Sequence, residues 1–446
     1  MSNFNLRTRF NPLWVKVLSL LFMMLCFMIP VDMVRDLIRD REFYQSQVAK
    51  ELTDSTSGEQ TIAAPILVIP YKQQQGKTVS EKRLLVLPEQ LTIDGKAQVS
   101  SLKRAIYTFQ SFQSVTQFSG RFPRAELDAL LASAGVTLGT PFIAVAVSDA
   151  RGLGKSEPMT LAGLPLSFSA GSQLAAFPSG MHADLTHWDW GKSGALDFSL
   201  KLNLNGSSRI SYVPLGANTQ VTLSSNWAHP KFAGNTVTQT RNVTPEGFKA
   251  TWESNWFANN LNAEVVELES RGQSVALENL YRLDAQLIQP VDHYQLNERT
   301  AKYSMLFIGL TFLAFFMFEV LRQLRVHPLQ YALVGIALTV FFALLLSLSE
   351  HIGFNKAYLL AAGACVSQIG FYVSHILHSV KRGLGFALAL ATMYAMLFGL
   401  LQSEDLSLLL GSVGLFVVVS LVMFATRRLN WYALTDQRPS ANEQVG

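Results

Sequence analysis

Cysteine is scarce in this chain of 446 residues, which contains two, Cys26 and Cys365. Both lie within long apolar runs, and residues 35–302 contain none. That long segment therefore uses no disulfide even in an oxidising compartment, and it must be held together by burial alone. Neither cysteine has a partner at metal-binding or redox spacing, so we predict no metal site and no bound cofactor.

The common catalytic and nucleotide-binding signatures are also absent. The sequence contains no G-x-S-x-G, H-E-x-x-H, P-loop, G-x-G-x-x-G or C-x-x-C, each of which holds reactive groups at a fixed spacing. We therefore assign no catalytic residue and expect a protein that is not an enzyme.

Charged residues are missing from six apolar stretches, at residues 17–31, 303–318, 331–349, 357–374, 384–403 and 406–426. A helix needs about 20 residues to cross a hydrocarbon core roughly 30 Å thick. With their apolar flanks, these stretches predict transmembrane helices at 13–34, 303–321, 331–349, 357–374, 384–403 and 406–426. The chain is thus predicted to be a membrane protein, partnered by the lipid bilayer, with one helix before and five after a long polar middle.

Positive residues near the span ends predict the orientation, because short positive loops stay in the cytoplasm. With the N-terminus inside, the two short outside loops hold Lys356 alone, whereas the inside segments hold ten lysines and arginines: Arg7, Arg9, Lys16, Arg322, Arg325, Lys381, Arg382, Arg427, Arg428 and Arg438. Residues 1–12 and 427–446 are therefore predicted to be cytoplasmic. Residues 35–302 are predicted to be periplasmic in a bacterial cell. The first span ends without a small-residue cleavage pattern, which favours an uncleaved anchor.

The predicted periplasmic segment is electrically neutral, with 25 Lys and Arg against 25 Asp and Glu in residues 35–302. The formal net charge of +4 therefore belongs to the positive-inside segments. It gives no indication of nucleic-acid binding.

Hydrophobic periodicity predicts a β-rich domain behind a helical stalk. Apolar residues recur at helical spacing over 34–52, and strands are predicted at 66–69, 84–87, 106–109 and 142–147. Residues 196–204 alternate strictly between apolar and polar, as in a half-buried strand. One helix is predicted between Pro123 and Gly135. Many short strands favour a β-sandwich or a large twisted sheet.

A repeated hexapeptide, T-x-x-S-N-W, begins at Thr222 and again at Thr251. It suggests either a surface where a ligand stacks or two related strands that each bury a tryptophan, and we favour the strands. The candidate interaction surface comprises Asn226, Trp227, His229, Trp256, Asn259 and Asn260.

Asp149 and Arg151 complete that candidate surface, because an Asp–Arg pair after a strand can orient a carboxylate, although it more often stabilises a turn. A metal site at His182 and His187, with Asp184 and Asp189, fits no standard spacing and is disfavoured.

Polar residues in the spans are costly and therefore informative. Glu319 lies one turn from Arg322, so a local pair is expected. Glu350 and His351 lie where the third span ends. They either mark the end of the helix or form a contact that responds to protonation. Gln368 can bond a neighbouring helix. The absence of charge near mid-span argues against a pump.

Six blocks spread through the chain resemble the CreD (Cet) family of inner membrane proteins. They are Asp149–Gly152, Ser225–Pro230, Trp256–Asn260, His293–Leu296 with Arg299–Tyr303, His327–Tyr331 and Leu348–His351. The resemblance implies a Gram-negative inner-membrane protein of the CreBC two-component regulon, linked to envelope integrity, colicin E2 tolerance and responses to β-lactams. It brings no catalytic residue.

Three functions remain open. The first is a non-enzymatic envelope protein that acts through its periplasmic domain on an unidentified envelope partner. The second is a transporter or channel accessory, for which Glu319, Glu350, His351 and Gln368 would matter. The third is a periplasmic envelope hydrolase that uses Asp149, His229 or His293.

Overall fold

A computed structural model describes residues 12–55, 57–75, 78–104, 107–155, 157–186, 195–288, 293–322, 326–403 and 407–427. The α-helices of this part are α1 (Pro12–Ser55), α2 (Ala125–Leu131), α3 (Leu261–Arg271), α4 (His293–Lys302), α5 (Ser304–Arg322), α6 (Pro328–Ile352), α7 (Phe354–Ile376), α8 (Val380–Gln402) and α9 (Ser407–Thr426).

The strands lie between α1 and α4. They are β1 (Gln60–Ala63), β2 (Ile66–Gln75), β3 (Thr78–Val86), β4 (Gln90–Arg104), β5 (Tyr107–Phe122), β6 (Val136–Leu138), β7 (Phe142–Ala146), β8 (Met159–Leu161), β9 (Leu164–Leu166), β10 (Ser169–Ala170), β11 (Gly180–Asp184), β12 (Leu196–Ser207), β13 (Arg209–Val213), β14 (Asn218–Ser225), β15 (Pro230–Gly234), β16 (Thr240–Thr244), β17 (Gly247–Asn255) and β18 (Leu283–Leu287).

The chain forms two compact units. The helical unit comprises Met1–Gln45 and Val291–Gly446, and the β-rich unit comprises Ser46–Pro290, as far as these residues are described. Six helices of the described chain, α1 and α5–α9, are long and apolar enough to cross a membrane. The predicted fold class, one apolar helix before and five after a β-rich region, is confirmed.

The described residues of the β-rich unit form three sheets. Their strand orders are β1-β13-β18-β15, β10-β11-β7-β2-β3 with β6 also on β2, and β16-β17-β14-β4-β5-β12-β8-β9. Neighbours pair antiparallel except for β1 with β13 and β4 with β14, which are parallel. The sequence could not distinguish a single sandwich from two packed sheets. In the described residues, three sheets surround one shared apolar core.

The alternation in residues 196–204 explains how β12 is seated in that core. Its side chains Leu196, Phe198, Leu200, Leu202 and Leu204 are buried, whereas the residues between them are half-buried or exposed. Since side chains alternate across a strand, one face of β12 packs on the core and the other remains polar. The predicted half-buried strand is confirmed.

Helix α1 is continuous and extends well beyond the apolar run. It ends at Ser55, so the stalk helix predicted over 34–52 is confirmed. Within the helical unit it packs closely on its neighbours. A Cβ on Gly335 would collide with the ring of Phe27, and one on Gly309 would lie 2.8 Å from a Met24 carbon. Small residues at these positions let the helices approach.

Helix α6 begins at Pro328, ahead of the predicted 331, because a capping box fixes its start. His327 accepts the Leu329 N–H through Nδ1 at 3.2 Å, and the Gln330 side chain accepts the His327 N–H at 3.1 Å. These bonds satisfy N–H groups that a helix start leaves without partners.

Helix α4 lies inside the segment predicted as 35–302, yet it belongs to the helical unit. Its buried Asn297 donates to Ser349 of α6 at 2.8 Å. Compact packing therefore groups α4 with the apolar helices rather than with the sheets.

Candidate functional site

Asp149 and Arg151 form a turn at the end of β7. The Asp149 carboxylate accepts the Arg151 backbone N–H at 3.0 Å and the Arg151 Nη2 at 2.6 Å. The Gly58 N–H also points to it at 3.4 Å. The Arg151 guanidinium is the main cause that lowers the pKa of Asp149 below its ordinary value of 3.8. The pair therefore stabilises its own turn.

The two hexapeptide copies lie on neighbouring strands, which is the interpretation that the sequence favoured over a single ligand-binding surface. Strands β14 and β17 pair antiparallel, so Trp227 and Trp256 leave the pair at opposite ends. Trp227 Nε1 donates to the carbonyls of His229 and Ile288, each at 3.1 Å. Trp256 Nε1 donates to the Leu215 carbonyl at 3.3 Å. Both rings are half-buried against the core, and they do not form one surface.

The three candidate asparagines have separate surroundings. Asn226 bonds the backbone of Val99 in β4 through both ends of its amide, at 2.7 and 3.1 Å. Asn259 is 6% exposed, donates to Ser254 at 2.8 Å and accepts the Leu261 N–H at 3.2 Å. Asn260 is exposed at the N-cap of α3, where its side chain makes no capping bond. The side chains of Asn226 and Asn259 are thus used in hydrogen bonds within the β-rich unit.

The histidines form no metal site in the described residues. His182 is buried, with Nδ1 2.6 Å from the Gly171 carbonyl and Nε2 2.7 Å from the Gln173 amide. His187 and Asp189 lie outside the described residues. His229 is exposed, with its ring 6.3 Å from that of Trp227.

Glu319 of α5 forms a buried cluster, called here the Lys16 cluster, with residues of α1 and α6 and with Val326. Its carboxylate pairs with Lys16 of α1 and accepts the Tyr331 hydroxyl of α6 at 2.8 Å. The Val326 N–H donates to it at 3.0 Å, and the Lys16 ammonium donates to the Val326 carbonyl at 2.9 Å. The expected local pair with Arg322 involves a side chain outside the described residues.

Glu350 forms a second cluster, at the opposite end of α6. It accepts the Tyr294 hydroxyl of α4 at 3.0 Å, and Arg41 Nε of α1 lies 3.7 Å from the same oxygen. Neighbouring Ser349 bonds Asn297. Lys16 and Arg41 thus tie both ends of the apolar part of α1 to α6 and its neighbours.

The remaining polar candidates of the helical unit are exposed. His351 is bonded through Nδ1 to the Ser347 carbonyl of its own helix at 3.0 Å. Gln368 is exposed on α7 and has no hydrogen-bond partner among the described residues. It lines a shallow apolar cavity of about 330 Å³.

The larger clefts lie in the β-rich unit. One of about 660 Å³ runs along β10 beside Ala150 and Glu157. Another of about 670 Å³ lies between β3 and α3, where Arg83 bonds the buried Glu269 at 2.8 Å. Glu269 also accepts the Ala176 N–H at 2.9 Å. The Glu269 carboxylate thus links α3 to β3 and to the backbone at Ala176.

Exposed side chains that the sequence patterns did not single out lie near the edge strand β16. All five of its residues are exposed. Val237 just before it is 86% exposed, and Val243 within it is 46% exposed. A strand exposed on both faces shows no apolar alternation, so periodicity cannot reveal it.

The comparisons with known proteins cover nearly the whole chain. A family profile described as "Inner membrane protein CreD" matches residues 12–432. The Inner membrane protein CreD of Escherichia coli (strain K12) is 38% identical over 443 residues, which are 98% of this chain and 97% of that protein.

Two solved structures show a remote likeness to this chain. An M1 zinc metallopeptidase from Deinococcus radiodurans is 7% identical, with 38% of this chain and 38% of that chain covered and a TM-score of 0.21. A mutant of it bound to a Tyr-Ser-Ala substrate is 6% identical, with 49% and 53% covered and a TM-score of 0.23. Similarity this low supports no conclusion about fold or function.

Proposed function

Because this chain belongs to the CreD family of inner membrane proteins, we propose that it is an envelope protein that acts through contacts of its β-rich unit and catalyses no reaction. The apolar helices anchor it in the inner membrane. Its role is to maintain envelope integrity under stress, including tolerance to colicin E2. The partner is another envelope protein.

The proposed topology places both termini in the cytoplasm and residues 35–302 in the periplasm. Its support is the distribution of lysine and arginine, since ten lie in the predicted inside segments and one lies in the short outside loops. The β-rich unit would then face the compartment in which other envelope proteins are exposed.

The observation that supports a non-enzymatic role is how the reactive side chains are used. Asp149 is bonded to Arg151 and Gly58, and Glu269 joins Arg83 to Ala176. A nucleophile or general base must instead keep an atom directed at substrate. These carboxylates hold the fold together.

Crosslinking in intact cells tests the proposal. A photoreactive residue at exposed Asn260 is expected to give a protein adduct, and the same residue at lipid-facing Phe416 of α9, 73% exposed, serves as the control. Turnover of an envelope substrate by purified protein, lost in Asp149→Ala, His229→Ala or His293→Ala, would replace this proposal with the hydrolase.

A transporter or channel accessory is the second candidate, and the buried charges of the helical unit favour it. Lys16 with Glu319 and Arg41 with Glu350 stand at opposite ends of α6, and intramembrane ionisable groups often mark ion paths. Solute flux in proteoliposomes that is lost in Glu350→Ala would support it. If no tested solute shows flux, the transporter candidate is rejected and the contact function is retained.

A further inference from the structure

The described sheets end in strands that are shielded from further pairing in different ways. An unshielded edge offers a row of backbone N–H and C=O groups to any extended chain, and natural edges are short, charged, proline-bearing or covered. The shielding features are burial of all of β1, Pro230 and Lys231 in β15, the two-residue length of β10, the charges Glu81, Lys82 and Arg83 in β3, and Pro165 in β9.

Strand β16, at the end of the eight-stranded sheet, is shielded less than these edges. It pairs with β17 on one side only. Its sequence, Thr-Arg-Asn-Val-Thr, contains no proline and one charge, and all five residues are exposed. Of the sheet edges in the described part of the chain, it is therefore the most open to an added strand.

Two residues of β16 lie opposite buried residues of the neighbouring strand. Arg241 stands opposite Ala250 and Val243 opposite Phe248 in β17, and Ala250 and Phe248 are both buried. Arg241 and Val243 therefore lie on the side of β16 that adjoins buried residues of β17, and both remain exposed among the described residues. Arg241 makes no ion pair with any described residue.

A small pocket adjoins the same edge. It holds about 190 Å³ and is lined by residues 232–238 and Arg241. Among its lining residues, Phe232 packs edge-on to the rings of Phe248 and Trp252, at 5.4 and 5.8 Å between centroids. The pocket thus borders the core through Phe232, carries the cation Arg241 in its lining, and has room for one small or medium side chain.

We propose that β16 is a docking edge that receives an extended segment of an envelope protein as an additional strand of the eight-stranded sheet. This deepens and rests on the proposed contact function. Strand addition takes affinity from backbone hydrogen bonds and specificity from pockets for alternate side chains. The segment bears an acidic residue that pairs with Arg241, and alternate apolar residues that cover Val243 and enter the adjoining pocket.

Crosslinking at the edge tests this proposal in the full-length protein. A photoreactive residue at Val243 is expected to capture a protein segment that contains an acidic residue and alternating apolar residues. The same residue at Leu164 of the proline-bearing edge β9, 57% exposed, is expected to capture none. Arg241→Glu should reduce the Val243 adduct at least tenfold. Lys249→Glu, a charge reversal at an exposed position of β17, should leave it unchanged.

Proline variants supply a readout independent of charge. Along an edge strand, successive N–H groups point alternately to the neighbouring strand and to solvent. Of Asn242→Pro and Val243→Pro, the variant that removes a solvent-facing N–H is expected to keep the wild-type thermal midpoint. With the photoreactive residue at Thr244, that variant should lose the protein adduct that the same residue gives in an otherwise wild-type chain.

Three outcomes overturn the proposal: an adduct that persists in Arg241→Glu, an adduct with a second copy of this chain, and an adduct with lipid alone. A protein adduct at Asn260 with none at Val243 would reject the edge and keep the contact function. Absence of protein adducts at both positions would reject both proposals.

Discussion

Thr222 and Thr251 lie directly opposite each other in the antiparallel pair of β14 and β17. Each begins one copy of the repeated hexapeptide, so the copies run in opposite directions and their tryptophans are separated by the length of both segments. The repeat is therefore two neighbouring strands of one sheet with separately anchored ends.

This separation predicts that the two tryptophans contribute independently to stability. Trp227→Ala and Trp256→Ala each remove a half-buried ring and an indole hydrogen bond, so each should lower the thermal midpoint of the full-length protein. The double variant should show the sum within about 0.5 kcal/mol, as distant sites do. A larger coupling, measured by thermal unfolding in detergent, would mean that the rings share a surface.

The Asp149 turn should be sensitive to acid. Its pKa lies below the ordinary 3.8 because of Arg151, so the carboxylate stabilises the turn above that pH and loses this effect as pH falls through the lowered pKa. Asp149→Asn should therefore increase hydrogen exchange in residues 57–61 and 148–153 relative to wild type at pH 7, and the difference should shrink toward pH 3. A difference that is unchanged with pH would mean that the charge has no role.

Removal of Lys16 should destabilise the helical unit. Lys16→Met leaves the buried Glu319 carboxylate without its cation, and breaking a buried pair typically costs about 3–5 kcal/mol. Adding Glu319→Gln removes the second charge and should restore much of the thermal midpoint. Lys381→Met, at an exposed position of α8, is the matched control and should have little effect. Equal losses in the single and double variants would contradict a charge-pair role.

The Glu350 cluster predicts a smaller loss at Tyr294. Tyr294→Phe keeps the ring and removes the hydroxyl that donates to Glu350. Hydrogen bonds to charged groups contribute about 1.5–3 kcal/mol, and the remaining Arg41 contact should keep the loss near the lower end. Tyr44→Phe, at a side chain that is 57% exposed, should not change the thermal midpoint. A drop in both variants would point to a general effect of hydroxyl removal.

The predicted topology can be measured by labelling of single cysteines. In a chain that carries Cys26→Ser and Cys365→Ala, a cysteine at Lys356 should react with a membrane-impermeant maleimide once the outer membrane is permeable. A cysteine at Lys381 should react only after the inner membrane is broken. The reverse pattern would invert the orientation and place the β-rich unit in the cytoplasm.

The sequence predicted the elements that have a clear period or composition. The apolar helices, the stalk and the alternating strand β12 all follow from patterns that a single segment displays. Helix α4 escaped prediction because it is short and polar, and its burial depends on Ser349 and Glu350 of another helix.

The partners of the polar candidates were harder to predict. Arg322 was the near neighbour of Glu319 in sequence, whereas the partner found in the structure is Lys16, 303 residues away. Only packing of α1 against α5 and α6 brings the two charges together. The docking edge escaped for a different reason, since β16 buries neither face and leaves no periodic signal.

The distance between Lys16 and Glu319 along the chain also sets an order of events during biosynthesis. The ribosome must add 303 residues between them, which takes roughly 15–60 s at about 5–20 residues per second. During that time Glu319 has not yet been made. A nascent or truncated chain that stops before α5 therefore lacks the acidic partner that Lys16 has in the full-length protein.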